Sequence, residues 1–215
     1  GTMPPRSKTV RVIPKFTCRK EERSHRTERQ EGSVFLNFLV IFETVEGQTR
    51  KIAEFVEQQI ESAGHGVRLF NTQDNPAIVS FDGIDKVVLA APVHERRHPK
   101  NFETLIAASL DELKARPTLL LSVSLKAAFP EGIEEAQDYL TEMKLRTGFT
   151  PDRDGLVAGA VRASSYSYFE SQIVEMVVLI GRTVELVEGI QEFTDWEVLG
   201  AEMQTFMDGA LPADG

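Results

Sequence analysis

Residues 34–42 read Val34-Phe35-Leu36-Asn37-Phe38-Leu39-Val40-Ile41-Phe42, an almost unbroken apolar run of strand length. A strand with one wet face alternates apolar and polar residues. A run without alternation suits a strand buried on both faces, at the centre of a parallel sheet. Parallel strands need crossover helices, and the chain supplies them. Ile52, Phe55, Val56 and Ile60 follow at helical spacing and stop near Gly64. Strands are predicted at 67–70, 86–91 and 118–124, the last entered through Pro117, with a weaker fifth at 156–161. Between them lie a helical stripe, Phe102, Leu105, Ile106 and Leu110, and a helix over 133–145; two further helices are predicted over 169–180 and 194–207. This alternation predicts an α/β fold: a three-layer α/β/α sandwich around a five-stranded parallel sheet. Right-handed crossovers and five strands favour the order 2-1-3-4-5. Ligands then sit beyond the carboxyl ends of the strands, on the loops after strands one, three and four.

The 215 residues suffice for one well-buried domain, placed at 34–208, with 209–215 as a tail. Residues 1–33 show no sustained apolar period and read as a disordered basic extension. They hold nine Lys/Arg and four Asp/Glu, about +5; the chain total of −9 leaves about −14 on the remainder. A body that acidic argues against nucleic acid as a partner. The lone cysteine, Cys18, excludes an internal disulfide and a Cys-based metal cage. No apolar stretch is long enough to cross a bilayer and no secretory leader is evident, so a cytoplasmic location is expected.

The loop leaving strand one is Thr44-Val45-Glu46-Gly47-Gln48-Thr49. Hydroxyls at both ends, a glycine for a tight turn and a helix N-terminus suit a phosphate. No lysine lies in the loop and the Walker pattern is absent, so a nucleoside triphosphate is not expected. Thr44, Gly47 and Thr49 match the phosphate loop of flavodoxins, Ser/Thr-x-Thr-Gly-x-Thr, with Gln48 at a common amide position. Glu46 stands at the usual middle hydroxyl and Glu43 where glycine is usual. Both carboxylates must turn away from a bound dianion.

Further blocks narrow the likeness: Glu46 to Ala53, Ala91-Pro92-Val93-His94 followed by Arg97-His98-Pro99, Ser122-Val123-Ser124-Leu125, Ala158-Gly159-Ala160-Val161-Arg162 with Tyr166, and Phe193-Thr194-Asp195-Trp196. Together, from about residue 38 to 206, they resemble the flavodoxin-like, menaquinone-dependent protoporphyrinogen IX dehydrogenases. That resemblance implies FMN as cofactor, with its phosphate on Thr44, Gly47, Gln48 and Thr49, and with Val45 and Glu46 of the same loop also at the cofactor. It implies a flavin ring between Pro92, Val93, His94 and Arg97 on one side and Ser124, Leu125, Lys126 and Phe129 on the other. It also implies oxidation of a porphyrinogen-like donor with a quinone-type acceptor, at a site peripheral to the inner membrane. Two departures stand out. Glu95 and Arg96 replace the family's usual aromatic and glycine, and the stretch from Tyr166 to Glu192, basic and amphipathic in relatives, carries five glutamates and one arginine, Arg182.

No catalytic acid or base is evident; Arg97 and Tyr166 are the candidates for contact with the reacting molecules. His94, Arg96, Arg97 and His98 form either a cation cluster that favours reduced flavin and pairs with carboxylates or a solvated basic loop. No third ligand joins the two histidines, so no metal is expected. Ser122 and Ser124 either reach the flavin edge or serve as ordinary strand-end polarity. Thr194 and Glu197 fit a capping box for the last helix. Two alternatives stay open: a flavodoxin-like electron carrier docking on a redox protein partner, or a diverged domain that has lost FMN. A homodimer is compatible with either.

Overall fold

The computed structural model describes residues 16–18, 34–74, 79–162 and 190–209. The central sheet contains β1 (Phe16–Cys18), β2 (Asn37–Phe42), β3 (Gly66–Asn71), β4 (Lys86–Pro92), β5 (Thr118–Ser124) and β6 (Arg153–Ala158), in the order β1-β6-β5-β4-β2-β3. The five strands from β2 to β6 are mutually parallel. Counted from β2, they stand in the expected 2-1-3-4-5 order.

Pleat alternation divides the sheet cleanly. Phe38, Val40, Phe42, Val88, Ala90, Leu119, Leu121 and Val123 face one helical layer, made by α1 (Gln48–Ser62) and α5 (Trp196–Asp208). Leu39, Ile41, Val87, Leu89, Ala91 and Leu120 face the other, made by α2 (Lys100–Ala108), α3 (Leu110–Lys114) and α4 (Ile133–Thr147). Every residue of β4 and β5 is buried, which accounts for their continuous apolar runs. The stripe over 102–110 belongs to two helices, because the backbone at Ser109 leaves helical geometry.

Two differences from the sequence reading stand out. Phe16–Cys18, assigned to the disordered extension, pairs antiparallel with Arg153–Gly155. Its backbone covers ladder groups that a bare β6 edge would leave unpaired, a gain that needs no apolar period. The predicted fifth strand is two: the chain leaves the sheet at Gly159, and β7 (Ala160–Arg162) pairs instead with β8 (Ile190–Glu192). The predicted helix over 169–180 lies outside the described residues. Among those residues no helix is long and apolar enough to cross a membrane.

Lys86 opens β4 fully buried, with its ammonium donating to the carbonyls of Phe206 and Met207 at 2.9 Å and of Gly209 at 2.6 Å. The last carbonyls of a helix lack intrahelical donors, and a strand lysine supplies them here. Burial pushes the Lys86 ammonium down from its ordinary value, against the opposing charges of Asp208 and Asp85.

Candidate functional site

A cleft opens at the carboxyl ends of β2, β4 and β5, with Glu46, Gln48, Thr49, Pro92, Val93, His94, Ser124, Leu125 and Lys126 among its lining residues. Its empty volume, with the open mouth and the solvent there included, is about 600 Å3. The position is the one that strand order dictates: β2 and β4 are neighbours whose crossovers leave on opposite faces.

The floor begins at the turn into α1. Gly47 has φ +89°, a left-handed conformation that glycine adopts without a Cβ penalty. The Thr44 hydroxyl accepts from the Gly47 N–H at 3.0 Å and fixes the turn. The first helical bond runs from Lys51 N–H to Gly47 C=O at 3.2 Å. The amides of Gln48, Thr49 and Arg50 therefore precede the α1 ladder, where an anion is favoured. Glu43 is buried beyond the strand end, its carboxylate accepting from the Thr72 hydroxyl. Glu46 does line the cleft, and Val45 is exposed.

Gln48 joins this turn to the far end of the chain. Its Nε2 donates to Thr194 Oγ1 at 2.9 Å, and Thr194 donates to the Ala158 carbonyl at 2.7 Å. Gln48 Oε1 is buried without a partner among the described residues, an acceptor suited to a ligand hydroxyl or a water. Beside it Lys51 pairs with Glu192 at 2.6 Å, and Trp196 donates to the same carboxylate at 2.7 Å. The cap of α5 is Asp195, which accepts from Val198 N–H at 3.1 Å, so the predicted cap at Thr194 is displaced by one residue. Thr194 instead tethers the loop after β2 to the end of β6.

The loop after β4 closes on itself, with His94 and Arg97 exchanging two backbone hydrogen bonds of 2.9 Å. Its tip residues, Glu95 and Arg96, have φ +47° and +65°. Such two-residue turns ordinarily take Asn-Gly, because other residues meet Cβ crowding there. External contacts hold Arg96 in place: its guanidinium pairs with Glu135 at 3.0 Å and lies 5.6 Å from the centre of the Tyr139 ring. Arg97, a candidate for substrate contact, points elsewhere and is bound by Glu103 at 2.8 Å. Glu103 also takes Arg146 at 2.7 Å, fastening the loop to α2 and α4. Burial pushes the Glu103 carboxyl up, but hydrogen bonds from Arg146 and Arg97 outweigh it and hold it below the ordinary value.

After β5, Ser124 accepts from Ala127 N–H at 3.2 Å and shapes the turn that presents Lys126. Phe129 packs edge-on against Phe193, with ring centres 5.3 Å apart, and is not among the cleft-lining residues. Tyr166 lies outside the described residues. Val123, Tyr139, Gly159 and Ala160 line the cleft although they were not placed at the cofactor from sequence, and Arg96, read there as part of a cation cluster, lines it too. Gly159 had a visible signal, a glycine inside an apolar strand run. Tyr139 had none, since it sits at core spacing on α4.

Ser122 is wholly buried and meets His98 Nε2 at 2.9 Å. Burial pushes His98 down to about 4 from an ordinary 6.5, with Glu103 opposing and Arg146 reinforcing the shift. The folded value lies below the unfolded one, so protonation favours the unfolded chain. This contribution is fully present above about pH 6.5 and is lost as the pH falls toward 4, amounting to about 3 kcal/mol there. Urea titrations of wild type and His98→Gln at pH 7 and pH 4 measure it. Wild type is expected to lose about 3 kcal/mol more than the variant; equal losses would locate the acid sensitivity elsewhere.

The flavodoxin-domain profile matches residues 39–184. The chain is 25% identical over 164 residues to protoporphyrinogen IX dehydrogenase [quinone] of Escherichia coli strain K12, covering 74% of this chain and 88% of that protein. Oxidised flavodoxin 1 from Bacillus cereus is similar at 18% identity and TM-score 0.43, over 57% of this chain and 84% of the other. A flavodoxin from Pseudomonas aeruginosa is similar at 13% identity and TM-score 0.41, over 67% and 95%. With the sheet order in place and the profile spanning most of the domain, the chain belongs to the flavodoxin-domain family.

Proposed function

We propose that this protein is an FMN-dependent oxidoreductase that oxidises a porphyrinogen-like donor and passes the electrons to a quinone-type acceptor. The observation that carries the reading is the cleft itself, bounded by the loops after β2, β4 and β5 with the α1 amides on its floor. The residues present fit the cofactor. Gly47 permits the left-handed turn a phosphate cradle needs, Gln48 Oε1 awaits a donor such as a ribityl hydroxyl, and Glu43 is turned away into Thr72. Thr44, Gly47, Gln48 and Thr49 would hold the phosphate. Pro92, Val93 and His94 would border one side of the ring, and Ser124, Leu125 and Lys126 the other. FMN, when bound, supplies the exchange of electrons between donor and acceptor.

The chain's own part is binding and electrostatics. Burial pushes His94 down from its ordinary value, against the charge of Glu95. A neutral imidazole is thereby favoured at the rim near neutral pH. Lys126 and Arg96 bring positive charge to the lining of the cleft, which would favour the negative charge that reduction adds to a bound flavin. The likeness to protoporphyrinogen IX dehydrogenase [quinone] supports both the donor class and the quinone acceptor. A second reading, an electron carrier docking on a redox protein, is favoured by the net charge of −9, which steers encounters with basic partners.

An absorbance spectrum before and after adding FMN is the first test. The expected result is a yellow protein that releases FMN on heating and, under anaerobic conditions, turns over protoporphyrinogen IX with a menaquinone analogue. A yellow protein without turnover favours the carrier. A protein that stays colourless at saturating FMN removes both readings.

A further inference from the structure

We infer that Arg96 and Lys126 form a carboxylate-recognition subsite for the electron donor, which Glu135 fills from within when no donor is bound. The inference rests on the flavin reading above and names what the rim of that cleft selects. Arg96 comes from the strained turn after β4, Lys126 from the turn after β5, and both line the cleft. A single carboxylate lies between them: Glu135 meets Arg96 NH1 at 3.0 Å through Oε1 and Lys126 Nζ at 2.9 Å through Oε2. The Tyr139 hydroxyl donates to Oε1 as well, and the Tyr139 ring lies beneath the Arg96 guanidinium.

Two cations and a phenol converging on one carboxylate make a receptor for a carboxylate. Glu135 is the occupant because it sits in the first turn of α4, within reach of both. Burial pushes its carboxyl up, but hydrogen bonds from Tyr139 and Lys126, with the charges of Lys126 and Arg96, outweigh that and keep it low and ionised. With one acid on two cations, the cluster keeps a net positive charge. An arriving carboxylate can take Arg96, whose side chain is 72% exposed, while Glu135 retains Lys126, whose side chain is 16% exposed. The exchange conserves the number of ion pairs, so its cost is small and selectivity comes from the charge of the donor. It also gives Arg96 a role at a left-handed position that glycine would occupy without strain.

The test uses FMN-loaded protein and two redox-inert probes, protoporphyrin IX and its dimethyl ester, with binding read from probe absorbance and Trp196 fluorescence. Wild type is expected to bind the diacid about tenfold more tightly than the diester, with a preference that shrinks as salt rises. Arg96→Ala abolishes the preference by weakening the diacid alone. Glu135→Gln raises diacid affinity several-fold by freeing both cations, a gain that a folding defect cannot imitate. Equal affinity of wild type for the two probes overturns the proposal. So does an Arg96→Ala protein that keeps the preference, or a Glu135→Gln protein that binds the diacid more weakly. FMN content, measured separately by absorbance, registers failure of the flavin reading without entering these comparisons.

Discussion

Replacing Lys86 with methionine is expected to lower the stability of the fold by about 3 kcal/mol and to loosen the end of α5 before anything else. Methionine keeps the length and packing of the side chain but removes all three donors to Phe206, Met207 and Gly209. Each carbonyl left unpaired in a dry site costs on the order of 1–3 kcal/mol. Removing a buried ammonium returns part of that, since burial already opposes its charge. The carbonyls outnumber the ammonium, so destabilisation prevails. The Phe206 ring, 5.4 Å from the ammonium, also loses a cation over its face. Urea denaturation gives the magnitude, and amide exchange along residues 203–208 gives the location. A variant within 1 kcal/mol of wild type would show that desolvation of the ammonium cancels its bonds.

Gly47→Asp is expected to reduce FMN affinity about 100-fold or more while changing fold stability by only about 1 kcal/mol. The two effects separate because they have different origins. Aspartate tolerates the left-handed region better than most residues, and its charge is welcome at the start of α1, so the helix survives. The same charge would stand beside a phosphate dianion, where repulsion at about 4 Å is on the order of 4 kcal/mol per charge pair. Thr49→Ala provides the milder comparison. It removes one buried hydroxyl that lines the cleft, and a loss of about tenfold is expected for a hydrogen bond to a charged acceptor. FMN retention by equilibrium dialysis measures both. If neither variant changes it, the phosphate is not held by this turn.

The layers were legible because burial on both faces leaves a mark that alternation cannot hide. The runs at 37–42, 86–92 and 118–124 are apolar where an exposed strand would not be, and the crossover rules then leave little choice of order. The turn into α1 was legible for a local reason: Gly47, Thr44 and Thr49 do their work within six residues of chain. What escaped depends on partners far away in sequence. Lys86 looks like a polar residue at a strand mouth until the end of α5 arrives 120 residues later. Thr194 has the local pattern of a helix cap, yet its hydroxyl serves Ala158 and Gln48. Phe129 sits in the loop after β5, and its ring packs on Phe193 of the C-terminal region. Phe16–Cys18 pairs through its backbone, and backbone pairing writes nothing into side-chain periodicity.

The bond between Gln48 and Thr194 spans 146 residues of sequence, and the Lys51–Glu192 pair beside it spans 141. A nascent chain can lay down β2, turn into α1 and begin its sheet well before either partner has been synthesised. The pocket wall there therefore closes only after residues 192–194 have followed, late relative to the strand and helix it fastens. A polypeptide stopped before residue 190 would lack both fastenings of the turn into α1.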